Sequence, residues 1–127
     1  MSDGLKKFVL DVGQCQPDHQ AIRRMIESEF DARVESSADA EGAMQVLCEQ
    51  KVDLVLVNRI LDATLHDGLE LVQKMQQHES LRRTPIMMIS NFESAQQEAI
   101  AAGAAPGFGK AHLDEETTRK LLANYLG

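Results

Sequence analysis

Long apolar runs, clusters of basic residues and cysteines are all scarce in this sequence. Its first apolar stretch, residues 8–12, is far shorter than a signal sequence or the roughly 20 residues of a membrane-spanning helix. Lys and Arg number 13 against 20 Asp and Glu, which gives a net charge of -7 and argues against binding to nucleic acid or an anionic membrane. Two cysteines, Cys15 and Cys48, make no disulfide framework. We therefore expect a cytoplasmic protein with free thiols, and the helical pattern around Cys48 predicts a core position for it.

Motifs of several common functional classes are also missing. The sequence contains no glycine-rich dinucleotide fingerprint, no P-loop lysine pattern and no nucleophile elbow. Its histidines lack the spacing of metal ligands, so surface positions are expected for all of them: His19, His66, His78 and His112. No motif therefore points to a nucleotide, a catalytic serine or a bound metal.

What the sequence does contain is a regular alternation of strand-like and helix-like segments. Strands are expected at residues 8–12, 33–35, 52–58, 85–90 and 107–109. Helices are expected at residues 17–30, from an Asp39 N-cap to 50, 69–78, 94–102 with Gly103 as its stop, and after an Asp114 cap. This alternation predicts a parallel sheet with helices on both faces, in one domain spanning residues 1–127.

The carboxyl ends of the strands are where such a sheet binds ligands. In a flavodoxin-like, doubly wound (βα)5 sandwich of three layers with strand order 2-1-3-4-5, the crevice lies between strands one and three. Five residues fall at this edge: Gln14 and Cys15 after strand one, Asn58 ending strand three, Ser90 ending strand four and Lys110 after strand five. These side chains are the candidate site.

Four stretches, taken in order, resemble the receiver domain of bacterial response regulators, the CheY-like domain of two-component (phosphorelay) signalling. They are DLVLVN at 53–58, DGLEL at 67–71, TPIMMIS at 84–90 and AGA at 102–104 followed by Lys110. Each stretch alone is a weak signal, whereas their order and spacing together are specific and cover nearly the whole chain.

The resemblance implies a role for each position at the crevice, and this chain departs from the family at several of them. In the family, an aspartate ends strand three and accepts a phosphoryl group from a histidine kinase, and here that position holds Asn58. Two acids after strand one help to hold Mg²⁺, and here their positions hold Gln14 and Cys15. The backbone carbonyl two residues past the acceptor, which also binds the metal, would belong to Ile60.

Of the other positions in the family's site, two are retained and one is lost. Ser90 and Lys110 match the residues that contact the phosphate. The aromatic switch residue, three positions before the lysine, is replaced by Gly107.

These departures have a direct chemical consequence. An amide is a poor nucleophile and cannot become an acyl phosphate, and Mg²⁺ prefers oxygen ligands, usually carboxylates and water. We therefore expect no phosphorylation on Asn58, lost or weak Mg²⁺ binding and no enzymatic activity. The sequence is typical of a degenerate receiver, or pseudo-receiver, that acts by protein–protein interaction.

Two other functions stay open at this stage. Another acid, Asp11 or Asp62, could accept the phosphoryl group, and Asp11 is unusual because a carboxylate inside a central strand needs a partner. Asp11 either pairs with a basic group or signals a shifted register of the first strand. Alternatively, Lys110 and Ser90 could bind an anion in a sensor.

The neighbours of the site and the partner surface complete the expectations. Asn58 either hydrogen-bonds Ser90 or Lys110 or simply caps its strand, and Arg59 is expected at the surface. Partners are expected to be signalling proteins, a histidine kinase or an output protein, docking on the face between Ser94 and Tyr125. The chain is expected to be a monomer or a weak homodimer.

Overall fold

The computed structural model describes residues 6–127, in which five strands alternate with five helices. The strands are β1 (Lys7–Val12), β2 (Ala32–Ser37), β3 (Leu54–Asn58), β4 (Ile86–Ile89) and β5 (Ala105–Phe108). The helices are α1 (Gln16–Glu29), α2 (Ala40–Glu49), α3 (Leu69–Gln77), α4 (Glu93–Ala102) and α5 (Glu116–Leu126), and a 3-10 turn covers Lys110–His112.

All strand pairs are parallel, and the order in the sheet is β2-β1-β3-β4-β5. The first four residues of β3, Leu54 to Val57, are completely buried because helices cover both faces of the sheet. One apolar cluster joins Val55 and Val57 to α2, α3 and α4. The other joins Leu54 and Leu56 to α1 and α5. The predicted flavodoxin-like three-layer α/β sandwich with order 2-1-3-4-5 is therefore confirmed.

Capping residues in the sequence correctly placed two helix ends. The carboxylate of Asp39 accepts a hydrogen bond from the Gly42 N–H at 2.7 Å, as expected of an N-cap. Gly103 ends α4 with φ +118°, a left-handed backbone that favours glycine. These two signals fix the start of α2 and the end of α4.

The fifth strand and the last helix begin elsewhere than predicted. Strand β5 covers Ala105–Phe108, not residues 107–109, because its register against β4 shifts between Met87 and Ile89. The N-cap of α5 is Glu115 and not Asp114. The Thr118 hydroxyl donates to the carbonyl of His112 at 2.7 Å, which ties the first turn of α5 to the preceding 3-10 turn.

Two burial predictions were wrong. Cys48 is exposed, because the buried stripe of α2 runs through Ala43 and Leu47, and the next residue points about 100° away from it. His19 is 6% exposed, not at the surface, because it lies on the sheet-facing side of α1.

Within residues 6–127, no helix is both long and apolar enough to cross a membrane.

Candidate functional site

The carboxyl ends of β3 and β4 border a cleft of about 250 Å³. Asn58, the last residue of β3, pairs with Ile89, the last residue of β4, so the segments after both strands leave the sheet at one level. Of the predicted site, the structure brings together at this cleft Asn58, Ile60, Ser90 and Lys110. Its other lining residues are Arg59, Ile89, Asn91 and Phe92.

Asn58 is anchored to the neighbouring strand. Its side-chain N–H donates to the carbonyl of Gly13 at 3.1 Å, and the amide is half-buried. Val12 pairs with Val57, so Gly13 lies next to Asn58 across the sheet, and its φ of +80° turns the chain away from β1. The predicted bond to Ser90 or Lys110 is replaced by this backbone contact, which agrees with the alternative of a polar residue that caps its strand.

Gln14 and Cys15 come after Gly13 and precede α1. The amide oxygen and nitrogen of Gln14 are both buried without a hydrogen-bond partner. Cys15 is the N-cap residue of α1, and its thiol is free and half-buried. Neither side chain brings a negative charge to the site.

These residues do not fit a magnesium ion. The positions that the family resemblance assigns to the metal carry an amide, a thiol and the carbonyl of Ile60, whereas Mg²⁺ is normally held through carboxylates and water. Among residues 6–127, no three His, Cys, Asp or Glu side chains are grouped as metal ligands.

Lys110 forms an ion pair with an acid on α1. Its ammonium lies 2.7 Å from a carboxylate oxygen of Asp18, although the two residues are 92 positions apart in the chain. The hydrogen bond from Lys110 holds the pKa of Asp18 below its usual range. Lys110 therefore lines the cleft with its charge already compensated.

Asp11 is completely buried in β1 and pairs with His19. One carboxylate oxygen lies 2.8 Å from Nδ1 of His19, and the other has no hydrogen-bond partner. Burial raises the pKa of Asp11 to about 6, although the hydrogen bond with His19 acts in the opposite direction. Asp11 pairs in register with Leu56, and Gly13 separates the end of β1 from Gln14 and Cys15. The hypothesis that Asp11 pairs with a basic group is thus confirmed.

The acid in the loop after β3 does not line the cleft, but its backbone lies beside Asn58, because both donate to the carbonyl of Gly13. Asp62 is exposed and is not among the residues that line the cleft, and its backbone N–H donates to the carbonyl of Gly13 at 2.9 Å. The predicted alternative acceptors are therefore one buried acid and one acid outside the cleft.

Gln96 joins α4 to strands β4 and β5, a role that sequence reasoning missed. Its side-chain N–H donates to the carbonyl of Met88 at 2.8 Å, and its oxygen accepts from the N–H of Gly107 at 3.0 Å. A Cβ on Gly107 would lie 2.2 Å from the Met88 oxygen, so no side chain fits there in this arrangement. Gln96 thus bridges the strands where the β4–β5 register is irregular.

Arg59 and Phe92 were also missed as a pair. The guanidinium carbon of Arg59 lies 6.0 Å from the centre of the Phe92 ring, and both side chains line the cleft. Arg59 is exposed, as expected, but it belongs to the mouth of the site. No sequence pattern connects residues that meet only through the two loops.

The fold and the site together define a class, and comparisons with known proteins agree. Residues 16–125 match the family model of the response regulator receiver domain, so this chain belongs to that family. No curated protein sequence matches the chain.

Several solved structures share the fold. The chemotaxis response regulator CheY4 of Vibrio cholerae is 23% identical, with a TM-score of 0.77 over 95% of this chain and 99% of that one. The receiver domain of an HD domain-containing protein from Pseudomonas fluorescens is 21% identical, with a TM-score of 0.77 over 95% of this chain and 87% of that one. A Francisella receiver domain is 16% identical, with a TM-score of 0.77 over 94% and 97%. At these identities the likeness establishes the CheY-like fold.

Membership of the family sets the general role. Receiver domains are signalling domains of two-component systems that interact with kinases and output proteins. A fold leaves open which chemistry its site performs, so the particular residues of this cleft decide how the domain acts.

Proposed function

We propose that this chain is a receiver-type signalling domain that works by protein–protein contact without phosphorylation of Asn58. The observation that carries the proposal is the set of neutral side chains at the acceptor and metal positions. The side-chain N–H of Asn58 donates a hydrogen bond to the carbonyl of Gly13. By the family's spacing, Gln14 and Cys15 occupy the positions of its two acids.

The chemistry of phosphoryl transfer supports this proposal. An acceptor needs an anionic oxygen nucleophile, and a divalent ion normally neutralises the charge that develops on the phosphoryl oxygens. The side-chain amide of Asn58, which donates a hydrogen bond to a backbone carbonyl, supplies no such nucleophile. With no carboxylate at the metal positions, Mg²⁺ binding is lost or weak.

The charge balance around Lys110 is a further support. In the family this lysine contacts the phosphate, whereas here it pairs with Asp18 within the molecule. Its charge is thus compensated without a metal or a phosphoryl group, and α1 is tied to the turn after β5.

The partner surface is the face between Ser94 and Tyr125, which includes α4, β5 and α5. Gln96 fastens α4 to β4 and β5, and Gly107 leaves no aromatic side chain to change position between two states. This face therefore offers one fixed arrangement to a histidine kinase or an output protein. We expect the domain to act as a monomer or weak homodimer, and its net charge of -7 argues against binding to nucleic acid.

The alternative acceptors are poorly placed. Asp11 has no exposed surface, so a phosphodonor cannot reach it in the folded protein. Asp62 is exposed but is not among the residues that line the cleft with Ser90 and Lys110.

An NMR titration of the wild-type protein with Mg²⁺ and then beryllofluoride tests the proposal. We expect no saturable shift of the amide signals around Asn58 with either addition. The same sample treated with acetyl phosphate should show no phosphate on Asp62 or any other acid by mass spectrometry. A magnesium-dependent beryllofluoride complex, or a stoichiometric phospho-adduct on any residue, would contradict phosphorylation-independent action.

A further inference from the structure

We propose that the cleft between the ends of β3 and β4 binds a small organic anion, with its acidic group on Arg59 and its apolar body against Phe92 and Ile60. The principal charge and the apolar contacts come from residues outside the family's phosphate-contacting pair, Ser90 and Lys110. It also does not depend on whether Asn58 can be phosphorylated.

The charge at the cleft is the first reason. No Asp or Glu is among the residues that line it, whereas Arg59 and Lys110 are, in a chain whose net charge is -7. Lys110 is already paired with Asp18. Arg59 also borders a small second cavity with Asp67 and Glu98, but within residues 6–127 no carboxylate lies within 4.0 Å of its guanidinium. Arg59 is therefore the cation with free donors at this mouth, and its planar fork suits a carboxylate or a phosphate group.

The apolar surface beside this cation is the second reason. Phe92 is 65% exposed and Ile60 is 37% exposed, and both line the same cleft. The guanidinium of Arg59 lies 6.0 Å from the Phe92 ring, so the cation and the ring share one opening. Covering these two side chains would remove apolar surface from water, which an inorganic ion alone cannot do.

The size of the cleft narrows the class of ligand. A volume of about 250 Å³ lies just below the range of pockets for drug-sized molecules, so one ring or short chain fits and a dinucleotide does not. The side-chain oxygen of Ser90 accepts from the N–H of Phe92 at 3.2 Å, which leaves its own hydroxyl proton available as a second donor in the cleft. An aromatic or short aliphatic carboxylate matches these features together.

The probe for this proposal is benzoate, titrated at low ionic strength without Mg²⁺ and monitored by the backbone amide signals. We expect saturable shifts at Arg59, Ile60, Asn91 and Phe92. Arg59→Gln should weaken the affinity about tenfold or more, because it removes a charge-assisted contact. The neutral isostere benzamide should bind the wild-type protein about tenfold more weakly than benzoate, for the same reason.

Matched variants separate the two halves of the site. Phe92→Ala should weaken benzoate binding but leave the weaker response to inorganic phosphate unchanged. Arg82→Gln removes an exposed arginine outside the cleft and should leave the affinity for benzoate as in the wild type. Arg59 and Phe92 are both exposed, so these variants should keep the amide spectrum of the folded protein.

Three results would overturn the proposal. The first is the absence of any saturable benzoate shift at the four amides. The second is an Arg59→Gln protein that binds benzoate as tightly as the wild type does. The third is inorganic phosphate binding as tightly as benzoate, which would mean an ion site without an apolar part. None of these results bears on the phosphorylation of Asn58, so the two proposals fail independently.

Discussion

At the scale of single residues, the stability of the domain depends on the protonation of Asp11. The carboxyl group of Asp11, buried in β1, keeps its proton to a higher pH than an ordinary aspartate does, because burial raises its pKa to about 6. Its partner is His19, and Lys110 lies near enough to affect it. Between pH 3.8 and about 6, the unfolded chain ionises this group while the native state holds the proton. The contribution of Asp11 to stability is thus full below that range and is lost as the pH rises through about 6.

Replacement of Asp11 by Asn should reveal this dependence. The free energy of unfolding of Asp11→Asn, relative to that of the wild type, should increase by up to about 3 kcal/mol between about pH 4 and about pH 7, which makes the variant relatively more stable. The reason is that the amide cannot ionise, so it escapes the cost of a buried charge. Urea unfolding at the two pH values measures this difference, and His19→Gln serves as a control that keeps the buried carboxyl group. A relative stability that does not change with pH would contradict the assignment.

The ion pair between Lys110 and Asp18 leads to a second prediction at this scale. Lys110→Ala removes the hydrogen bond that holds the pKa of Asp18 down, so that pKa should rise toward its ordinary value. In the wild type, the contribution of Asp18 to stability is present at neutral pH and is lost as the pH falls through its lowered pKa. A carbon-detected NMR titration of Asp18 measures the shift, and Lys74→Ala, an exposed lysine on α3, is the matched control. An unchanged Asp18 titration in Lys110→Ala would show that the pair is not formed.

At the scale of elements, the attachment of α4 to β4 and β5 depends on the side chain of Gln96. Gln96 satisfies both the carbonyl of Met88 and the N–H of Gly107 at the point where the β4–β5 register shifts. Buried backbone groups that lose their partners are destabilising, so this glutamine holds the helix and the two strands as one unit.

Gln96→Ala should therefore lower the free energy of unfolding by about 1–3 kcal/mol, because two backbone groups lose their partner. Gln97→Ala, an exposed neighbour on the same helix, should change it by less than about 0.5 kcal/mol. Gly107→Ala should also be destabilising, because its Cβ would meet the Met88 oxygen at 2.2 Å. Chemical unfolding of the three variants measures these effects. Equal stability of the Gln96 and Gln97 variants would contradict the bridging role.

At the scale of the whole molecule, the fold could be predicted from the sequence and the electrostatics of the site could not. The apolar run of β3 and the Asp39 cap are local signals, and they placed the sheet and α2 correctly. The ion pair of Lys110 with Asp18 joins residues 92 positions apart, and the bridge of Gln96 depends on a shifted register. No periodicity or cap encodes such contacts. His19 and Cys48 were misplaced because a helix pattern alone does not fix which borderline residues face the sheet.

The proposed function depends on the whole site, because the resemblance places Asn58 at the acceptor and Gln14 and Cys15 at the two side-chain metal positions, and none of the three is an acid. Restoring the acceptor alone should therefore not restore phosphorylation: Asn58→Asp would gain a carboxylate, while Gln14 and Cys15 would still hold Mg²⁺ poorly. The most direct measurement is the intact mass of Asn58→Asp after incubation with acetyl phosphate and Mg²⁺, beside a variant that also carries Gln14→Asp and Cys15→Asp. We predict no adduct on the single variant and phosphorylation only when the acidic pair is restored as well. A stoichiometric, magnesium-dependent phospho-adduct on Asn58→Asp alone would contradict this account.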